Sequence, residues 1–213
     1  MAIAAVITAI LVVCGVCGMD IPVFMMLRKI DCKLWAVIDA VFAAKVWIGA
    51  AFVAVLVFCV KKYIKAGITY KNAKNKFSAM VVLRDFYLKT KTSNAMLIFC
   101  SVLSAGIVVK ILKIFIGRAR PVFYEALGMT GFFPPSMDWA FNSMPSGHTA
   151  ISFAGLVMIG MLAPKYKPLT WTMAIIIGVS RIAIGAHWPS DVIFGAFVGM
   201  VMADIVKGTL LKK

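Results

Sequence analysis

An all-helical, polytopic membrane bundle is the fold class this sequence predicts, and three observations predict it. Hydrophobic residues make up 62% of the 213-residue chain and charged residues 15%, giving a mean hydropathy of +0.96, well above the balance of soluble domains. Apolar runs recur at about 2–19, 43–60, 94–113, 146–163, 169–186 and 190–206, and about 17 to 25 apolar residues carry a helix across the hydrocarbon. These runs lack the alternating pattern of a membrane barrel, and lipid cannot satisfy loose backbone groups, so each of the six spans is expected to be a helix. One domain is expected over 1–213, with a motif-bearing core at about 94–206.

The first run, AIAAVITAILVVCGVCG, reads as a retained span, because no basic residue precedes it and no A-x-A site follows. Cys14 and Cys17 within it form a CxxC on paper. With no second pair and no nearby histidine, they and Cys32, Cys59 and Cys100 read as core-filling side chains. The stretch after it, 20–45, is too polar for a clean span and is expected along the outer interface, with Trp35 and Trp47 as aromatic anchors. After the span at 43–60, residues 61–92 read as a basic amphipathic connector. Neither 20–45 nor 61–92 is expected to carry chemistry.

The net charge of +15 raises the question of nucleic acid, yet the basic residues sort by loop. Lys61, Lys62, Lys65, Lys71, Lys74, Lys76, Arg84, Lys89 and Lys91 lie between the second and third spans, Lys165 and Lys167 between the fourth and fifth, and Lys207, Lys212 and Lys213 at or beyond the end of the sixth. With six crossings these segments share one side, which the positive-inside rule makes cytoplasmic, where they also attract anionic headgroups. Asp20, Asp31, Asp39, Glu125, Asp138 and Asp191 fall on the other side. The partner implied is a bilayer, not a nucleic acid.

Polar residues gather at the outer ends of the last four spans. Lys110 and Lys113 end the third, Arg118 and Arg120 follow, His148 opens the fourth, Arg181 lies near the end of the fifth, and His187 and Asp191 bracket the start of the sixth. Charges at membrane depth are costly without partners or water, so this clustering implies a polar pocket at the outer interface. In KIFIGRARP, Lys113 and Arg120 are two helical turns apart, and Pro121 disfavours helix at Arg120, so the chain is expected to break near Gly117. In PSGH, Gly147 permits close backbone approach, and Ser146, with its hydroxyl and an exposed N–H, opens a helix suited to an anion. In SRIAIGAHWPSD, Asp191 can reach back to His187 and fix its tautomer, while Arg181 offers a fork for phosphate oxygens. Taken singly, each stretch has a plain alternative: interface anchoring, an ordinary N-cap, a structural His–Asp pair. Taken together they suit phosphoryl transfer to and from a histidine, with cations in the place a magnesium ion takes elsewhere.

These residues closely resemble the signature of the type 2 phosphatidic acid phosphatase superfamily, K-x6-RP, PSGH and SR-x5-H-x3-D. Lys113, Arg120 and Pro121, then Pro145, Ser146, Gly147 and His148, then Ser180, Arg181, His187 and Asp191 match it at all eleven fixed positions. The resemblance implies His187 as nucleophile forming a phosphohistidine, Asp191 orienting it, and His148 protonating the leaving group and then activating water. Lys113, Arg120, Arg181 and the Ser146–Gly147 backbone would hold the phosphoryl oxygens, with no cofactor and no metal. It implies a lipid phosphatase of a bacterial inner membrane, acting at the non-cytoplasmic face with both termini cytoplasmic. Its substrate would be lipid A 1-phosphate, undecaprenyl diphosphate, phosphatidylglycerol phosphate or phosphatidic acid, selected by the loop at 122–144. A lipid-to-lipid phosphotransferase or a non-catalytic lipid-phosphate binder or transporter would use the same residues.

Overall fold

The first apolar run does not stop at residue 19. It folds as α1 (Ala2–Cys14), one π-helical turn over Gly15–Met19 with Gly18 at φ 137°, and α2 (Asp20–Arg28). The structure, a computed structural model, describes residues 1–30, 32–71 and 76–211. Asp31, Lys74, Lys212 and Lys213, and the side chains of Lys71 and Lys76, lie outside the described residues. α3 (Lys33–Val41) and α4 (Ala44–Lys71) follow, broken at Phe42 and Ala43, and then α5 (Lys76–Lys91). The motif-bearing half comprises α6 (Asn94–Ile116), the short α7 (Pro121–Leu127), α8 (Gly147–Leu162), α9 (Lys167–Ala183) and α10 (Pro189–Leu211). Among the described residues there is no strand, only an isolated bridge between Arg118 and Phe132.

Local chemistry sets the ends of α6. The Ser93 hydroxyl accepts from Met96 N at 3.2 Å to cap its start, and Gly117 ends it in the left-handed region at φ 59°. A side chain at Gly117 would also meet the Phe133 backbone at 2.6 Å. The break expected near Gly117 is therefore present, and it frees Arg118 and Arg120 from helical spacing.

Among the described residues, four stretches are long and apolar enough to cross a membrane: Ala2–Arg28, Lys33–Lys65, Asn94–Ile116 and Pro189–Leu211. α8 and α9 coincide with expected spans but have 16 and 17 residues. α8 is enclosed by α6, α9 and α10 and buries residues round most of its circumference, so protein rather than lipid satisfies its surroundings. α10 lies close against it because Gly195 and Gly199 present no side chain: a Cβ there would stand 2.6 Å from Ser146 O and 2.3 Å from Ala150 O. Around this contact Leu97, Phe153, Leu156, Met158 and Ile177 form the main apolar core.

Outward faces are apolar as well. Ile3, Val6 and Val13 of α1, Val53 and Val60 of α4, and Ile107 and Phe115 of α6 are all exposed, which suits an integral membrane protein whose outer surface meets lipid. Two expectations change here. Cys14, Cys17 and Cys32 are exposed, so these three are not core-filling, whereas Cys59 is half-buried and Cys100, on α6, is half-buried and packs against the main core. Trp47, expected as an interface anchor, is half-buried, and its ring packs against Gly155 on the main core.

Candidate active site

His187 lies in the loop between α9 and α10. Its backbone N–H donates to Arg181 O at 3.2 Å, and Gly185, at φ 81°, turns the chain back beneath the end of α9. Pro189 starts α10, placing Asp191 in its first turn. The Asp191 carboxylate accepts from Trp188 N at 2.9 Å and from the Ser143 hydroxyl at 2.5 Å, and its Oδ2 lies 3.6 Å from His187 Nδ1. Ser143 Oγ is 3.5 Å from the same ring nitrogen. Asp191 is 0% exposed and His187 2%. Burial, helped by the charges of Lys113 and Arg120 and opposed by Asp191, pushes the His187 imidazole down to about 3. The ring is therefore neutral at physiological pH, with Nδ1 turned to its anchors and Nε2 left for chemistry.

Arg118 holds the other side of Asp191. Its Nη1 donates to Asp191 Oδ1 at 2.7 Å and to Ser190 Oγ at 2.6 Å, and its Nη2 donates to Asp20 Oδ2 at 2.6 Å. Asp20 also accepts from Ser190 N at 2.9 Å and Ser190 Oγ at 2.5 Å. Burial alone would lower the Arg118 guanidinium, yet Asp191 and Asp20 outweigh it and hold its pKa above the ordinary value. Phe132 and Trp188 flank it, each ring centroid 5.5 Å away. This buried network of two carboxylates on one guanidinium ties the N-terminal helices to the start of α10.

Lys113, in the last turn of α6, donates to the carbonyls of Asn142 and, at 3.2 Å, Ser143. Arg120 donates to Trp139 O at 2.9 Å, Ala186 O at 3.1 Å and Asn142 O at 3.3 Å, with its guanidinium 4.5 Å over the Trp139 ring. Both cations thus converge on the segment before PSGH, and Arg120 also touches the residue next to His187. Ser146 precedes α8 as its N-cap, and its N–H donates to Asp191 O at 2.9 Å. That corrects the expectation of an exposed Ser146 N–H: the group is spent on joining PSGH to α10. The helix-start amides of Gly147 and His148 follow, ahead of the first intrahelical bond from Ala150 N to Ser146 O.

The last contact crosses from the N-terminal half. Arg181 Nη1 pairs with Asp39 Oδ1 of α3, and His148 Nε2 lies 3.8 Å from that same oxygen. All eight residues singled out by the sequence therefore lie in three linked groups: His187 with Asp191, Lys113 with Arg120 and the Ser146–Gly147 turn, and Arg181 with His148. The sequence did not single out Ser143, Ser190, Asp20 or Asp39 as site residues, and it named Arg118 only as one more cation. From 20–45, where no chemistry was expected, Asp20 and Asp39 reach residues of the site. The available signal was an acid in an apolar setting, which demands a partner.

Residues 94–212, more than half of the chain, match the PAP2 superfamily. The lipid A 1-phosphatase of Rhizobium johnstonii is 38% identical over 112 residues, 51% of this chain and 46% of that protein. The phosphatidylglycerophosphatase B of Bacillus subtilis is 24% identical over 158 residues, 68% of this chain and 73% of that protein. The matched part spans less than half the length of the rhizobial lipid A 1-phosphatases. Among solved structures, Aquifex aeolicus LpxE shares the fold, with a TM-score of 0.52 at 19% identity over 89% of this chain and 94% of that one. Since the match runs through all three motifs and every helix from α6 to α10, this chain belongs to the PAP2 superfamily.

Proposed function

We propose that the protein is an integral membrane lipid phosphatase that hydrolyses a phosphate or diphosphate group from a lipid headgroup through a phosphohistidine on His187. The observation that carries this reading is the neutral His187 ring, anchored at Nδ1 by Asp191 and Ser143 beside Lys113 and Arg120. In the first step His187 Nε2 attacks phosphorus and the phosphorus–oxygen bond to the lipid breaks, the departing oxygen taking a proton from His148. In the second, His148 takes a proton from water, whose oxygen attacks phosphorus and displaces Nε2, releasing phosphate and restoring the ring. Asp191 stabilises the imidazolium character that develops. Lys113, Arg120, Arg181 and the amides at Ser146–Gly147 face the charge that builds on the phosphoryl oxygens, Gly147 N–H serving where Ser146 N–H is engaged.

Both named relatives act on lipid-borne phosphates, and lipid A 1-phosphate is the substrate the rhizobial likeness favours. Undecaprenyl diphosphate, phosphatidylglycerol phosphate and phosphatidic acid form the comparison set. We place the site on the periplasmic or extracellular side of a bacterial inner membrane, with both termini cytoplasmic, because Lys61 and Lys62 in the C-terminal half of α4, Lys89 and Lys91 in the last turn of α5, Lys165 and Lys167 between α8 and α9, and Lys207 in the last turns of α10 lie at the opposite ends of the helices. The whole of 1–213 acts as one domain in this reading, since Asp20 and Asp39 complete a site otherwise built within 94–206. The test is phosphate release by the purified full-length protein from each lipid, with excess chelator present. Release from at least one lipid, blocked by vanadate, is expected; release that needs added magnesium would overturn the mechanism.

A further inference from the structure

Most cations at the site are already engaged by their own chain: Arg118 by two acids, and Arg120 and Lys113 by backbone carbonyls. Arg181 differs. It is 6% exposed, and among the described residues its Nε and Nη1 have no hydrogen-bond acceptor apart from the Asp39 carboxylate paired with Nη1. Asp39 is equally particular. On α3 the half-buried positions are Trp35, Ile38 and Asp39, continued by Phe42, a single helical face on which Asp39 alone is charged. Ile38 and Phe42 rest on the main core, and the face packs on α9, so the carboxylate is carried inward to the buried Arg181. α3 itself buries no residue fully and is bracketed by an extended Cys32 and a non-helical Phe42. It is a short strip docked along one edge, with backbone breaks at both ends.

We propose that Asp39 is the resident anion of the phosphoryl site, seated on Arg181 and beside His148 where a phosphoryl oxygen binds during turnover, so that it holds the site against any phosphate group that does not displace it. The inference rests on the phosphatase reading of this site and deepens it. Arg181 cannot serve a carboxylate and a phosphate dianion together without setting like charges against each other. A phosphate group must therefore displace Asp39, and α3 must lift from α9. A soluble phosphate ester has only its charge with which to do this. A lipid brings in addition the contact of its tails with the apolar flanks of α3 and α9, and such remote binding energy can be spent on opening the site.

The experiment uses full-length protein in detergent, wild type against Asp39→Asn and Asp39→Glu, with inorganic phosphate as the probe. Stabilisation against heat by phosphate should reach its midpoint at about tenfold lower concentration or less in Asp39→Asn. KM for p-nitrophenyl phosphate and KM for a long-chain lipid phosphate should both fall by a similar factor, because both must displace the same carboxylate. Asp39→Glu, which keeps the charge, should keep the phosphate midpoint closer to wild type than Asp39→Asn does. In wild-type protein, saturating phosphate should raise hydrogen exchange over residues 33–42. This measurement does not depend on a variant folding. An unchanged or higher phosphate midpoint in Asp39→Asn overturns the proposal, as does unchanged exchange over 33–42. A fall in kcat with phosphate binding unaltered also overturns it and makes Asp39 a positioning residue for His148. Phosphate binding is read without turnover, so a protein that meets these expectations yet hydrolyses no lipid fails the phosphatase reading alone.

Discussion

Replacing Arg118 with Met keeps an apolar stem of similar length and removes the guanidinium that lies 2.7 Å from Asp191 and 2.6 Å from Asp20. Asp20 is 3% exposed and Asp191 0%, so water cannot take over as partner. Removing one member of a buried pair costs roughly 3–5 kcal/mol, because a charge is left uncompensated, and here two carboxylates depend on one cation. At the upper end, with each kcal/mol worth about 2–4 °C in a chain of this size, Tm should fall by about 10–20 °C. The diagnostic feature is a change of sign. Asp20→Asn should destabilise wild type, where it weakens a charge-assisted bond, but should restore about 1–3 kcal/mol in the Arg118→Met background, where it removes an orphaned charge. Thermal unfolding followed by tryptophan fluorescence suits the test, since Trp188 lies against Arg118. If Asp20→Asn is as harmful in the Arg118→Met protein as in wild type, or if Arg118→Met melts within about 2 °C of wild type, the two acids do not share this cation.

His187→Ala should form no acid-labile, alkali-stable phosphoprotein, whereas His148→Ala, slowed about a hundred-fold or more on lipid, should accumulate label on His187 from p-nitrophenyl phosphate, whose leaving group needs little protonation; rapid quenching that shows the reverse inverts the roles. Folded His187 titrates near 3 and an unfolded histidine near about 6.5, so the unfolded chain binds the proton first. The stability His187 contributes is present above about pH 6.5 and is lost as pH falls toward 3. His187→Asn should therefore show a shallower loss of Tm across that window, and equal slopes would refute the buried neutral ring. For sidedness, with the native cysteines removed, Met137→Cys should react with an impermeant thiol reagent in intact cells and Tyr87→Cys should not, both positions being exposed; the opposite labelling places the site in the cytoplasm.

How much of the site could be read without coordinates depends on the distance over which each contact acts. His187 and Asp191 are four residues apart at a helix start, so spacing alone predicts that they meet, and the structure brings them to 3.6 Å. The break before Arg120 was legible because Gly and Pro act on the backbone locally. The apolar runs likewise marked their own helices, since insertion in lipid depends on composition over one segment. For α8 and α9, however, the shortfall in length only makes sense once neighbouring helices are seen to enclose α8.

Tertiary structure decided everything that joins the two halves. Arg118 and Asp20 meet across 98 positions and Ser190 and Asp20 across 170, and no periodicity says which of several acids an arginine will face. Asp39 stands among apolar neighbours, and the sequence shows only that it needs a partner; that the partner is Arg181 follows from α3 docking on α9. Trp47 misled for the same reason. Its composition suits an interface equally well, and only the absent side chain at Gly155 makes room for its ring on the main core. The sequence by itself determined the membrane-helical class, the three motifs and the residues that meet within a turn or two. Which buried charges neutralise one another was decided by packing, because a charge in low dielectric selects its partner by proximity in space, whatever the separation along the chain.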